Sequence, residues 1–162
     1  MVEQHIPSKW NDWSLKELIG EGSYGSVYLA ERKTGDIITK SAIKIIEVPS
    51  SESEKHQLMK EFRNEDSIRQ YYKDLVNDCL KEIQAMEALR GITNIVSIED
   101  YLIEEKEDTI GWTIYIRMEY LKSFSDYYSE SKLDEKEILR MGIDICDFLI
   151  FLRLSVFFDF LR

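Results

Sequence analysis

Cysteine is nearly absent from this chain. Only Cys79 and Cys146 occur in 162 residues, far apart and without the spacing of a metal site. They read as small buried hydrophobes of a reducing compartment rather than as a disulfide framework. Basic residues are also in short supply. Twenty-one Lys and Arg stand against 31 Asp and Glu, a formal charge of −10. That balance argues against a surface built mainly for nucleic acid or anionic lipid, while leaving room for a local basic pocket. No apolar h-region precedes Trp13, so no signal peptide is expected. The apolar stretch Phe148 to Leu161 is interrupted by Arg153 and Asp159 and falls short of the ~20 residues that span a bilayer. A cytoplasmic chain with no membrane or nucleic-acid partner is the expectation. There are no internal repeats and no long low-complexity segment.

What is present is an apolar share of 44%, enough for a sizeable core. Leu15 to Glu21, Val27 to Glu31 and Ile37 to Val48 have the patterning of strands, with Lys33-Thr34-Gly35-Asp36 as a turn. These predict three consecutive antiparallel strands. After the break at Pro49 to Ser53, Ser51 and Glu54 resemble a capping box for a short helix. From Asn64 to Arg90 the period becomes 3.6. Ile68, Tyr72, Leu75, Cys79, Ile83, Met86 and Leu89 define one apolar face, and Gly91 stands where a helix cap belongs. Two more strands are predicted at Ile95 to Ile103 and Trp112 to Glu119, separated by the acidic turn Glu104 to Gly111. Asp134 and Glu137 cap a later helix with the stripe Ile138, Met141, Ile145 and Phe148.

The stretch I-G-E-G-S-Y-G-S-V-Y-L-A, residues 19–30, carries glycines at 20, 22 and 25. A dinucleotide fold needs such glycines to open a helix, with an acidic residue ~20 positions on. Here strand-forming residues follow Gly25, and position 40 is a lysine. A hairpin fits instead, and its spacing admits a phosphate cradle and an unliganded turn alike. Lys44 lies on a predicted strand between Ile43 and Ile45. It is either an exposed strand lysine or a cation that reaches towards a phosphate. Half-buried, its ammonium needs a partner. Glu82 is the candidate: it lies three residues after Cys79 and four before Met86, along the apolar face. The alternative for Glu82 is a stripe-edge position whose carboxylate reaches water. Glu87 stands nearer the rim of that face.

Taken together, these residues resemble the N-terminal lobe of eukaryotic-like (Hanks-type) serine/threonine protein kinases. Gly20-x-Gly22-x-x-Gly25-x-Val27 matches the glycine-rich loop, Ala42-Ile43-Lys44 the strand-three lysine motif, and Glu82 the helix C glutamate. Thr93-Asn94-Ile95-Val96 looks like the connection from helix C to strand four, and Arg117 to Leu121 like strand five entering the hinge. The resemblance implies an α+β fold: a five-stranded antiparallel sheet with a long helix C, then a hinge and two helices of an incomplete C-lobe. It divides the chain into an extension at 1–12, a partial kinase domain at 13–149 and an atypical apolar tail at 150–162. Within the domain, 13–118 would be the N-lobe, 119–121 the hinge and 122–149 the start of the C-lobe.

The resemblance also implies an ATP-binding site. Gly20, Gly22, Ser23 and Gly25 would cover the phosphates, and Ile19, Val27 and Ala42 the adenine. Met118 would be the gatekeeper, and the backbone of Glu119 to Leu121 would bond the adenine edge. Lys44 would hold the α- and β-phosphates while Glu82 orients it, their pairing marking the active arrangement. The complete family form uses Mg with ATP, through residues of H-R-D-x-x-x-x-N and D-F-G segments. Neither segment occurs in this sequence. Both histidines, His5 and His56, lie early, and Asp147-Phe148 and Asp159-Phe160 lack the following glycine. The expectation is therefore a kinase domain truncated or frame-shifted near residue 150, able to bind ATP and with little activity alone. The alternative is a non-catalytic, pseudokinase-like fragment that binds a nucleotide or a partner. The protein substrate is not legible.

Overall fold

A computed structural model of the chain describes residues 6–22, 25–62, 64–92, 95–131 and 133–159. The fold is α+β, with a five-stranded antiparallel sheet and four α-helices. The chain divides into two compact units: Met1–Gly91 with Val96–Tyr120, and Ile92–Ile95 with Leu121–Arg162.

The first unit holds the sheet. Strands β1 (Trp13–Gly22), β2 (Gly25–Thr34) and β3 (Ile37–Val48) form a meander, as their patterning predicts. Gly35, at φ +61°, makes the turn between β2 and β3. Helices α1 (Glu52–Glu61) and α2 (Glu65–Ala88) follow, then β4 (Ile98–Glu105) and β5 (Trp112–Glu119). The strand order is β1-β2-β3-β5-β4, so β1 and β4 are the two edges.

Side-chain alternation gives the sheet two buried faces. On the inner face Val48, Ile98, Trp112, Ile114 and Ile116 pack with Ile68, Tyr72, Val76 and Ile83 of α2. On the outer face Ala30, Ile43, Ile45 and Tyr115 pack with Trp10 and Trp13. Strand β5 is apolar on both sides, which is why Trp112 to Ile116 are buried in an unbroken run. Burying these side chains is worth about 1.5–3 kcal/mol each, so the two-faced core dominates the stability of this unit.

The helix starts follow the sequence signals. The Ser51 hydroxyl accepts the Glu54 amide at 3.2 Å, while the Glu54 carboxylate reaches back to the amide of Ser50 at 2.9 Å. The Asn64 side chain caps α2 by accepting the Ser67 amide at 2.8 Å. At the other end of α2, Leu89 and Arg90 form a tight turn and Gly91 takes φ +85°. Two details differ from the periodic reading. Val76 is buried, whereas Leu75 is exposed, because the stripe advances by fours from Ile68 through Tyr72 before stepping to Cys79. Strand β4 begins at Ile98 rather than Ile95, since the Ser97 amide donates to the Glu119 carboxylate at 2.7 Å instead of joining the ladder.

The second unit contains α3 (Phe124–Ser131) and α4 (Glu135–Asp159). Asp134 and Glu137 form a reciprocal capping box, with the Glu137 amide donating to Asp134 at 2.8 Å and the Asp134 amide to Glu137 at 3.0 Å. The stretch from residue 150, set apart as an atypical apolar tail, continues α4 to Asp159. No proline or glycine interrupts it after Gly142, so backbone hydrogen bonding propagates. Cys146 is exposed rather than buried, and Cys79 is half-buried. Ile138 and Ile145 of the anticipated stripe are exposed; the Phe148 side chain lies outside the described residues, as do Thr93, Asn94 and Phe160. No described helix is long and apolar enough to cross a membrane.

Candidate functional site

The glycine stretch is the β1–β2 hairpin. Gly20 pairs with Val27 and Gly22 with Gly25. Two of these glycines have different physical reasons. Gly25 has φ +107°, and a Cβ there would sit 2.2 Å from the Ile45 carbonyl oxygen. The fold itself demands glycine at this point, because the hairpin backbone lies against β3. At Gly22 a Cβ would meet nothing within 4 Å among the described residues. Packing among the described residues does not explain that glycine. Ile19 is exposed, and Ser23 lies outside the described residues.

Strand β3 carries the cation. Its register places Lys44 between Val27 of β2 and Ile116 of β5, and Ala42 between Leu29 and Met118. Cross-strand partners share a face, so Val27, Ala42, Lys44 and Met118 lie together on the inner face with Ile116. Ala42 is buried and Met118 half-buried against the α2 core. Lys44 is half-buried. Among the ion pairs of the described residues, none involves Lys44.

Glu82 is therefore not joined to Lys44. It is exposed, and on a helix turning about 100° per residue it lies roughly 80° from the centre of the buried stripe. This is the stripe-edge position. The two charges still meet electrostatically at Cys79, which lies on α2 between the buried Val76 and Ile83. Burial pushes the Cys79 thiol up, Glu82 pushes it further, and Lys44 pulls it down. Met118 and Glu119 end β5, where the Glu119 amide donates to the Ser97 carbonyl at 3.1 Å. Leu121 belongs to the other unit and is exposed. Among the described residues no group of three His, Cys, Asp or Glu side chains could hold a metal ion.

Several residues beside this site escape a reading of the sequence. Ile98 pairs with Met118 and Asp100 with Arg117, so Glu99 is the extra residue of a bulge in β4. The bulge lets two successive carboxylates serve the outer face. Glu99 accepts from Arg117 and, at 2.7 Å, from the Ser41 hydroxyl. Asp100 accepts from the Trp10 indole at 2.9 Å and from Lys9 at 3.2 Å. Arg90, just after α2, donates to the carbonyls of Ile98 and Glu99. A bulge has no period to betray it. Trp10 does have a signal: large aromatics so close in sequence to a strand start are seldom left in water. No protein-family model matches the chain, and no curated protein matches it significantly.

Proposed function

We propose that the sheet unit is the ATP-binding portion of a protein of the serine/threonine protein kinase kind. The observation that carries this reading is Lys44. The Lys44 residue is half-buried among apolar neighbours and, among the described residues, forms no ion pair, so its ammonium is available to an anion, which a phosphate would supply. A Gly22 that no described side chain crowds and the apolar neighbours Val27, Ala42 and Met118 on the face of Lys44 support a nucleotide as the source of that phosphate. In this reading the hairpin amides and Lys44 hold phosphates, while Ile19, Val27, Ala42 and Met118 enclose the base. The backbone of Glu119 and Tyr120, at the end of β5, bonds its edge. Magnesium would accompany the nucleotide in the complete kinase form.

Thermal unfolding of the purified chain with and without Mg-ATP tests the proposal. Saturation at 100 times Kd stabilises a folded binder by about 2.7 kcal/mol. The expected result is a clear rise in Tm that Lys44→Met abolishes. No rise at millimolar Mg-ATP overturns the reading. Binding without chemistry is favoured over catalysis by Lys44 and Glu82, which form no ion pair with each other. Phosphorylation of a generic Ser/Thr substrate by the 162-residue chain, lost in Lys44→Met, would reverse that preference.

A further inference from the structure

We infer that residues 6–13 form a strap across the outer face of the sheet, tying its two edge strands together and holding the Met118–Glu119 end of β5 in place. The strap begins with Ile6 packed against the outer core and with Pro7, which is fully buried. It passes through the 3-10 turn Ser8–Trp10 and joins β1 at Trp13. Trp13 therefore belongs to one edge, while Lys9 and Trp10 bind Asp100 on β4, the other edge. Strands lie about 4.8 Å apart, so four gaps separate these edges by roughly 19 Å. Three residues of extended chain reach only about 10 Å. Side chains complete the crossing.

Arg117 of β5 is the centre of that crossing. Its guanidinium lies 4.7 Å from the Trp13 ring and 5.7 Å from the Trp10 ring. It also donates to Glu99. The Trp10 ring meets Tyr115 edge-on at 6.4 Å between centroids. The strap thus grips β5 at positions 115 and 117 and β4 at position 100. The next residues along β5 are Met118 and Glu119, and Glu119 is bonded to Ser97 both through its amide and through its carboxylate. Loosening the grip at Arg117 frees this short end first, since it lies beyond the last strap contact at the end of β5, where the β4 ladder has dwindled to the Ile98–Met118 pair and the Ser97 contacts, beside the β3 ladder and the packing of Met118. The consequence for nucleotide binding rests on the function proposed above; the effect on β5 does not.

Hydrogen exchange on the full chain tests the strap. Trp10→Phe keeps an aromatic ring, smaller than the indole, and removes the N–H donor, leaving Asp100 without that partner. Exchange of the Ser97 and Glu119 amides should accelerate about tenfold, while that of Tyr72 and Val76 in α2 changes by less than about threefold. Asp100→Asn keeps an acceptor for the indole but loses the ion pair with Lys9. It should give the same pattern more weakly, and serves if Trp10→Phe does not fold. Uniform acceleration, or none, overturns the inference, because the segment would then add only general stability. Affinity for Mg-ATP separates the two proposals. If the unsubstituted chain binds ATP and Trp10→Phe weakens binding several-fold, the strap positions the site; unchanged affinity removes that consequence. If the unsubstituted chain does not bind ATP, the site reading fails and the exchange result still decides the strap.

Discussion

Gly22 and Gly25 occupy paired positions of one hairpin, yet substitution should separate them completely. At Gly25 alanine meets both a positive φ and a carbonyl oxygen at 2.2 Å. Strain of this kind costs about 1–3 kcal/mol before the clash is relieved. Gly25→Ala should therefore lower unfolding free energy by about 2 kcal/mol or more in urea titrations. Gly22→Ala should stay within about 0.5 kcal/mol and, on the proposed function, weaken Mg-ATP binding. A large stability loss at Gly22 would show that the space beside it is not free. Asp100 makes a second residue-scale case. Burial raises its pKa, but the bonds from Trp10, Lys9 and the Tyr101 amide outweigh that, and the net shift is downward. A depressed folded pKa means stability that is present above the unfolded value and lost as pH falls through the folded one. The stability difference between the natural chain and Asp100→Asn should accordingly shrink as pH drops from 7 to below the ordinary carboxylate range. A difference independent of pH would remove the carboxylate from the account.

Helix α2 shows which element-scale features a sequence carries. Its extent, its Asn64 start and the partners Ile68, Tyr72 and Ile83 follow from a period of 3.6, because a long helix repeats the same instruction many times. The choice of Val76 over Leu75 does not follow, since both fit the period and only the shape of the opposing sheet decides between them. Likewise the five strands are readable from alternation and turns, whereas the Glu99 bulge and the partner of Lys44 depend on contacts far apart in the chain. The α2 core also contains a polar atom with no evident use. Tyr72 is fully buried and its hydroxyl has no hydrogen-bond partner among the described residues. Burial first, then the charges of Glu54, Tyr71 and Glu52, push its pKa up to about 12. An unsatisfied buried hydroxyl costs about 1–3 kcal/mol, so Tyr72→Phe should leave stability unchanged or raise it by up to about 1 kcal/mol. A marked loss in calorimetry would mean that the hydroxyl has a partner in solution.

At the scale of the molecule, both units expose apolar side chains, Ile37 and Ile38 on the sheet among them. Leu121, Phe124, Tyr127, Tyr128, Leu139 and Ile143, all in the helical unit, are exposed. Contiguous exposed apolar surface promotes association. Leu139 and Ile143, 61% and 60% exposed, lie one helical turn apart on α4. Leu139→Lys with Ile143→Lys should reduce concentration-dependent light scattering without lowering the unfolding temperature of the sheet unit. Equal scattering from both chains would place the cause of association elsewhere. The sheet unit has a different property, which follows from its strap. A pulling force applied on the N-terminal side of Ile6 does not load the β1–β2 ladder at once. It must first peel Lys9 and Trp10 from Asp100 and draw the indoles off Arg117, so the early resistance comes from β4 and β5. A force–extension trace from that end should show a small yielding step before the sheet gives way, and tension on the N-terminal segment would be felt first beside Met118.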